Sequence, residues 1–146
     1  MRIAPLLPIL LLTTGALGSA DILRDARTSY EAGDLAGAIR LYREFLSDHT
    51  DAAEIRSNLG AALVRNGQFV EAIGEYRKAI EDLPANRPVR TNLALAYYKV
   101  GRLANAMAEL EFLLRQNPLD LQAALLLADA TSRPGSPPPP WTCSSH

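Results

Sequence analysis

The feature that most constrains this chain is a match of the sequence to itself at one fixed offset. Sliding it by 34 residues lays 53–86 on 87–120 and pairs Arg56 with Arg90, Asn58 with Asn92, Leu59 with Leu93, Ala62 with Ala96, Gly67 with Gly101, Ala72 with Ala106, Glu75 with Glu109 and Pro84 with Pro118. One step earlier, 19–52 aligns with 53–86 through Gly33, Ala38, Ile39, Tyr42, Arg43 and Asp48, all in the second half of the unit. A constant period of this size marks a unit that cannot bury its apolar face alone and must stack on its neighbours.

Each unit reads as two helices. Ile55, Leu59, Ala62 and Leu63 recur at spacings of three and four, Gly67 interrupts, and Phe69, Ala72, Ile73, Tyr76, Ala79, Ile80 and Leu83 resume the pattern. Glycines 33, 67 and 101 are placed to end each first helix in the left-handed conformation, while Pro84 and Pro118 stop each second helix.

A 34-residue period with this internal order resembles the tetratricopeptide repeat, whose pattern runs Trp-x-x-Leu-Gly-x-x-Tyr, then Ala-x-x-x-Phe, then Pro. Here Leu59-Gly60 precedes Leu63, Leu93-Ala94 precedes Tyr97, Ala72 precedes Tyr76, and Ala106 precedes Leu110. The chain departs from the pattern at Arg56 and Arg90, which replace tryptophan, and in the first unit, where Asp25, Ala26 and Ser29 replace leucine, glycine and tyrosine. The resemblance implies an all-α fold: a right-handed superhelical stack of antiparallel helix pairs, with units at about 21–52, 53–86 and 87–120 and a partial fourth at 121–130. Close approach of paired helices requires small side chains, so Gly60 is expected to face Ala72, Ala94 to face Ala106, and Ala26 to face Ala38. Leu113, where the preceding unit has Ala79, implies a looser or shifted contact.

By the same resemblance the first helix of each unit lines a concave groove that takes a peptide or protein segment. Position by position this gives Arg24, Arg27, Tyr30 and Glu31, then Glu54, Ser57, Asn58, Ala61 and Arg65, then Thr91, Asn92, Leu95, Tyr98 and Lys99. Arg24, Asn58 and Asn92 fall at one level of the stack. An asparagine amide both donates and accepts, which suits capture of a peptide backbone. The carboxylate-gripping mode of the family's chaperone-binding members is not expected, because Glu54 and Pro88 occupy clamp positions and an acid repels a carboxylate.

Composition excludes other classes. The chain has 146 residues and a formal charge of −1, which leaves no electrostatic footprint for nucleic acid. Nucleophilic catalysis needs a base beside a nucleophile, and the repeats carry a single histidine, His49, expected to be a solvated residue at a helix end. Cys143 and His146 provide two metal ligands at most, too few for a structural zinc site. No enzyme, cofactor or metal centre is therefore expected, and the acids are assigned to outer helix faces as pairs such as Arg40/Glu44 and Glu75/Lys78.

The ends differ from the middle. Residues 1–20 place Arg2 before an apolar run from Ile3 to Leu12 and then small residues, the order of a cleaved export signal, with the cut before Asp21 or after Gly18. The run is broken by Pro5 and Pro8, so no stable membrane span is expected after cleavage. Removing Arg2 with this segment leaves a charge of −2 on the mature chain. At the other end, residues 121–130 form a helix apolar on nearly every face, followed by a disordered proline-rich tail over 131–146. Such a helix implies either a shortened array, the preferred reading, or a docking surface, and both imply self-association.

These readings give an exported, periplasmic or secreted, non-enzymatic adaptor that binds a protein or peptide, with envelope assembly as its setting. The alternative is a regulatory or targeting segment of a larger repeat-containing enzyme or transport machine.

Overall fold

In the computed structural model, residues 18–137 are described. They form seven helices: α1 (Ser19–Glu31), α2 (Leu35–Asp48), α3 (Ala53–Arg65), α4 (Phe69–Asp82), α5 (Arg87–Lys99), α6 (Leu103–Gln116) and α7 (Leu121–Ser132). First helices of 13 residues alternate with second helices of 14, and the connections within and between hairpins keep constant lengths, which generates the sequence period. Each helix packs on the next, so the three hairpins and α7 stack in chain order.

Local chemistry sets the ends of the helices. Gly33, Gly67 and Gly101 have φ of 83°, 78° and 75°, the left-handed region expected of them. Asp34, Asn86 and Asp120 cap the following helices by accepting from the backbone N–H of Gly37, Val89 and Ala123. A fourth glycine continues the series one period further on: Gly135, with φ of 87°. The repeat therefore extends past Ala130, the boundary read from sequence. The helical pattern hides this because Pro134 forces Arg133 into extended backbone, ψ 143°, so α7 stops at Ser132. Residues 133–136 then form a turn closed by the Ser136 N–H on the Arg133 carbonyl at 3.1 Å. At the other end α1 opens at Ser19, capped by the Gly18 carbonyl, ahead of the expected start at Asp21. Residues 1–17, most of the segment expected to be an export signal, and residues 138–146, most of the expected tail, lie outside the described residues.

The core corrects three expectations of packing. Gly60 meets Tyr76: a Cβ on Gly60 would lie 2.7 Å from Tyr76 Cε1, and its three nearest neighbours are all atoms of that ring. One period on, Ala94 clusters with Leu110, the equivalent of Tyr76, while Ala106 belongs to the other cluster. Small residues on first helices thus seat large residues of second helices. Leu113 is not loosely packed. It is 4% exposed and clusters with Ala123, whereas Ala79 shares its cluster with Val89, so the large and small partners have exchanged sides between successive interfaces. His49 is half-buried and stacked on Phe45 at 4.2 Å between centroids, not solvated.

The arginines at the family's tryptophan position reach across their hairpins. Arg56 pairs with Glu75 at 3.0 Å and donates to the Thr50 carbonyl at 2.7 Å. Arg90 pairs with Glu109, donates to the Pro84 carbonyl, and lies over the Phe112 ring at 3.8 Å. Glu75 and Glu109 are only 19% and 17% exposed, so these acids lie between helices, not on the outer face assigned to them. The surface pairs Arg40/Glu44 and Glu75/Lys78 form as expected, at 3.6 and 3.3 Å.

Candidate functional site

The groove is built on α1, α3 and α5, whose inner faces follow one another at the repeat spacing. Two hollows adjoin in it. The first, about 290 Å³, is lined by Arg27, Tyr30, Glu31, Tyr42, Asn58 and Ala61. The second, about 190 Å³, shares Tyr30 and Ala61 and adds Val64, Arg65, Tyr76, Asn92 and Leu95. A third, about 260 Å³, opens beside Asn58 between Glu54, Ser57, Pro88 and Val89. Asn58 therefore stands between two hollows, and Asn92 enters the second.

The structure brings together Arg27, Tyr30, Asn58, Arg65 and Asn92 from the residues selected by sequence. Arg65 is held in place: its guanidinium donates to the Tyr30 carbonyl at 3.0 Å and lies over the Tyr30 ring at 4.4 Å. Three selected residues are placed elsewhere. Arg24 turns along its own helix to pair with Asp21 at 2.8 Å and lines none of these hollows. Lys99 is exposed and lines none of them either. Tyr98 is engaged by α7: its hydroxyl donates to Asp129, and the Arg133 guanidinium stacks on its ring at 4.1 Å. The hydrogen bond to Asp129 pushes the Tyr98 phenol above its ordinary range.

Tyr30–Arg65 and Tyr98–Arg133 are the same contact two units apart, an aromatic residue of one first helix under a cation at the C-terminal end of the next. Sequence reasoning missed Arg133 because it lay beyond the recognised period. It also missed Tyr42 and Tyr76, which rise from second helices to line the groove, although their identity at the repeat offset was a visible signal. Burial pushes both phenols up, so they present neutral hydroxyls at neutral pH. The groove is thus amide and phenol at its centre, with Arg27 and Arg65 opposed by Glu31 and Glu54. Among the described residues, no cluster of three or more His, Cys, Asp or Glu could hold a metal, and no helix is long and apolar enough to cross a membrane.

A stack of helix hairpins with an open groove along its first helices defines a helical repeat scaffold that presents a surface for extended ligands. The chain belongs to the tetratricopeptide repeat family: two models of that repeat match residues 23–87 and 63–130. Neither match is to an enzyme family. No curated protein matches the sequence. Among solved structures, the chain is similar to the second tetratricopeptide domain of human RPAP3, in complex with the HSP70 peptide SGPTIEEVD. Identity there is 18%, coverage 80% of this chain and 100% of that one, and the TM-score 0.70. The TPR2B domain of yeast Sti1, in complex with pHsp70, is 23% identical over 77% of this chain and 95% of its own, with a TM-score of 0.68. A tetratricopeptide repeat protein from Parabacteroides merdae is 21% identical over 77% of this chain and 45% of its own, with a TM-score of 0.74. At these identities the likeness is one of fold.

Proposed function

We propose that this chain is an exported, non-catalytic adaptor whose groove captures an extended segment of a partner protein. The observation that carries the reading is the placement of Asn58 and Asn92 one period apart on hollows that meet at Tyr30 and Ala61. Amides so spaced can each donate to and accept from a peptide backbone, while Tyr30 and Leu95 offer apolar contact. The peptide complex solved for the RPAP3 domain, which is similar in fold, supports the reading that a domain of this kind binds a peptide segment. Glu54 beside Asn58 opposes a terminal carboxylate, so an internal segment is the better ligand here. The leader-like order of residues 1–20 supports export, and export with this repeat supports a setting in envelope assembly.

The test is capture of partners from an envelope extract by the protein and by an Asn58→Ala/Asn92→Ala variant of unchanged helicity. Binding weaker by about tenfold, or ~1.4 kcal/mol, is expected. Equal affinity would reject backbone capture at this site.

A second reading, in which residues 121–130 join the chain to another copy or to the rest of a larger machine, draws on the exposure of Leu119, Leu121 and Leu125, at 90%, 70% and 63%. Sedimentation over a range of concentrations separates a monomer from self-associating chains.

A further inference from the structure

We propose that the groove selects a partner segment in the polyproline II conformation and reads its backbone at every third residue through two phenol–amide pairs, Tyr42 with Asn58 and Tyr76 with Asn92. This rests on the groove being the ligand site and adds the conformation that it takes. The two pairs are equivalents at the offset of 34, and each lines one of the two adjoining hollows. Both rings belong to the core, Tyr42 being 5% and Tyr76 1% exposed. Among the described residues the Tyr42 hydroxyl has no hydrogen-bond partner, and the Tyr76 hydroxyl has the Asn92 side chain. A phenol set this deeply at the wall of a hollow needs its remaining partner from outside the fold. The pattern stops after two pairs, because Leu110 and Leu126 occupy the places of a third phenol and a third amide.

Each pair suits a peptide group. Whichever of phenol and amide donates to the other, a donor and an acceptor are left over. A peptide group meets both, whereas a carboxylate only accepts and an ammonium only donates. The conformation follows from the spacing of the pairs. Asn58 and Asn92 stand on α3 and α5, which touch directly, and the axes of packed helices lie about 8–10 Å apart. Three residues of polyproline II advance about 9 Å, and its threefold screw returns the same edge of the chain to the protein at that step. A β-strand returns the same edge after two residues, about 7 Å, or four, about 13 Å, and misses the second pair. Tyr30, common to both hollows, together with Val64 and Leu95, gives the aromatic and apolar walls against which prolines at the intervening positions pack.

The probe is the acetylated, amidated peptide APPAPPAPP, which holds polyproline II and keeps an N–H at every third residue. The peptide GSAGSAGSA has the N–H groups without the conformation, and an all-proline peptide of equal length has the conformation without the N–H groups. In titrations of the full chain followed by amide chemical shifts, APPAPPAPP should perturb α1, α3 and α5 and bind severalfold tighter than either control. Tyr42→Phe and Tyr76→Phe should each weaken it by about threefold to tenfold, the loss of one hydrogen bond, with helicity by circular dichroism unchanged. Where one variant loses helicity, the other hollow supplies the same test. The proposal is overturned if APPAPPAPP binds no better than GSAGSAGSA or not at all, if the all-proline peptide equals it, or if the phenylalanine variants bind it as the unaltered chain does. Those outcomes leave capture by the groove standing, which fails instead if the Asn58→Ala/Asn92→Ala variant recovers partners from the extract as well as the unaltered chain.

Discussion

Gly60 and Gly74 both sit inside helices, yet the same methyl group has opposite consequences at the two positions. At Gly60 it would press against the buried Tyr76 ring, 2.7 Å away at the closest atom, whereas at Gly74 nothing lies within 4 Å. Gly60→Ala should destabilise the protein by about 1–3 kcal/mol through overpacking. Gly74→Ala should stabilise it by about 0.5–1 kcal/mol, because a helical glycine loses more backbone freedom on folding than alanine. Urea denaturation measures both, and equal shifts of one sign would reject the register. The sequence marked Gly60 as a close-approach position but did not point to the Tyr76 ring, since spacing along a helix identifies a face and not which residue of the next helix lies nearest. Glu75 shows the same limit. Its pairing with Lys78 is readable within one helix, while the half-buried pairing with Arg56 depends on how two helices align. In the first unit Ile22 and Leu41 stand at the positions of Arg56 and Glu75, so an apolar pair and an ion pair occupy the same place in successive units.

At the scale of an element, α7 is fastened at its start by one carboxyl group. Asp120, with 2% of its side chain exposed, receives both Arg87 Nε at 2.6 Å and Nη2 at 3.0 Å, and also caps the helix at the Ala123 N–H. These hydrogen bonds, that from Arg87 foremost, hold its pKa at about 2 against an ordinary 3.8. A folded value below the unfolded one means that the stabilisation is complete above the ordinary carboxylate range and is lost as pH falls toward about 2. Thermal melts from pH 5 to pH 2 should therefore decline less steeply for Asp120→Asn than for the unaltered protein, and parallel curves would refute the assignment. The helices of the groove were legible in the sequence, and so were Arg27, Tyr30, Asn58, Arg65 and Asn92. Arg24 and Tyr98 were assigned correctly to their helices but not to their partners. Asp21 lies one turn from Arg24 and draws it along α1, while Tyr98 is claimed by Asp129 of α7 and by Arg133 just past its end, in a unit whose register the sequence left open.

For the whole molecule, the period predicted the stack, and Gly135 shows that the same rule governs the last helix as well. What the period could not give was cover for α7, because cover depends on the path of the chain after the final turn. α7 packs on α6 alone among its major contacts, while α3 and α5 are flanked by helices on both sides. In native-state hydrogen exchange the amides of α7 should exchange before those of α3 and α4, and a uniform rate across all seven helices would contradict this ordering. Because packing runs almost wholly between consecutive helices, each step of assembly closes only a short stretch of chain. Little loop entropy is spent before native contacts repay it, so folding should be rapid and able to begin at any hairpin. No single contact between distant parts of the sequence holds the rest in place, and the chain can assemble and come apart hairpin by hairpin.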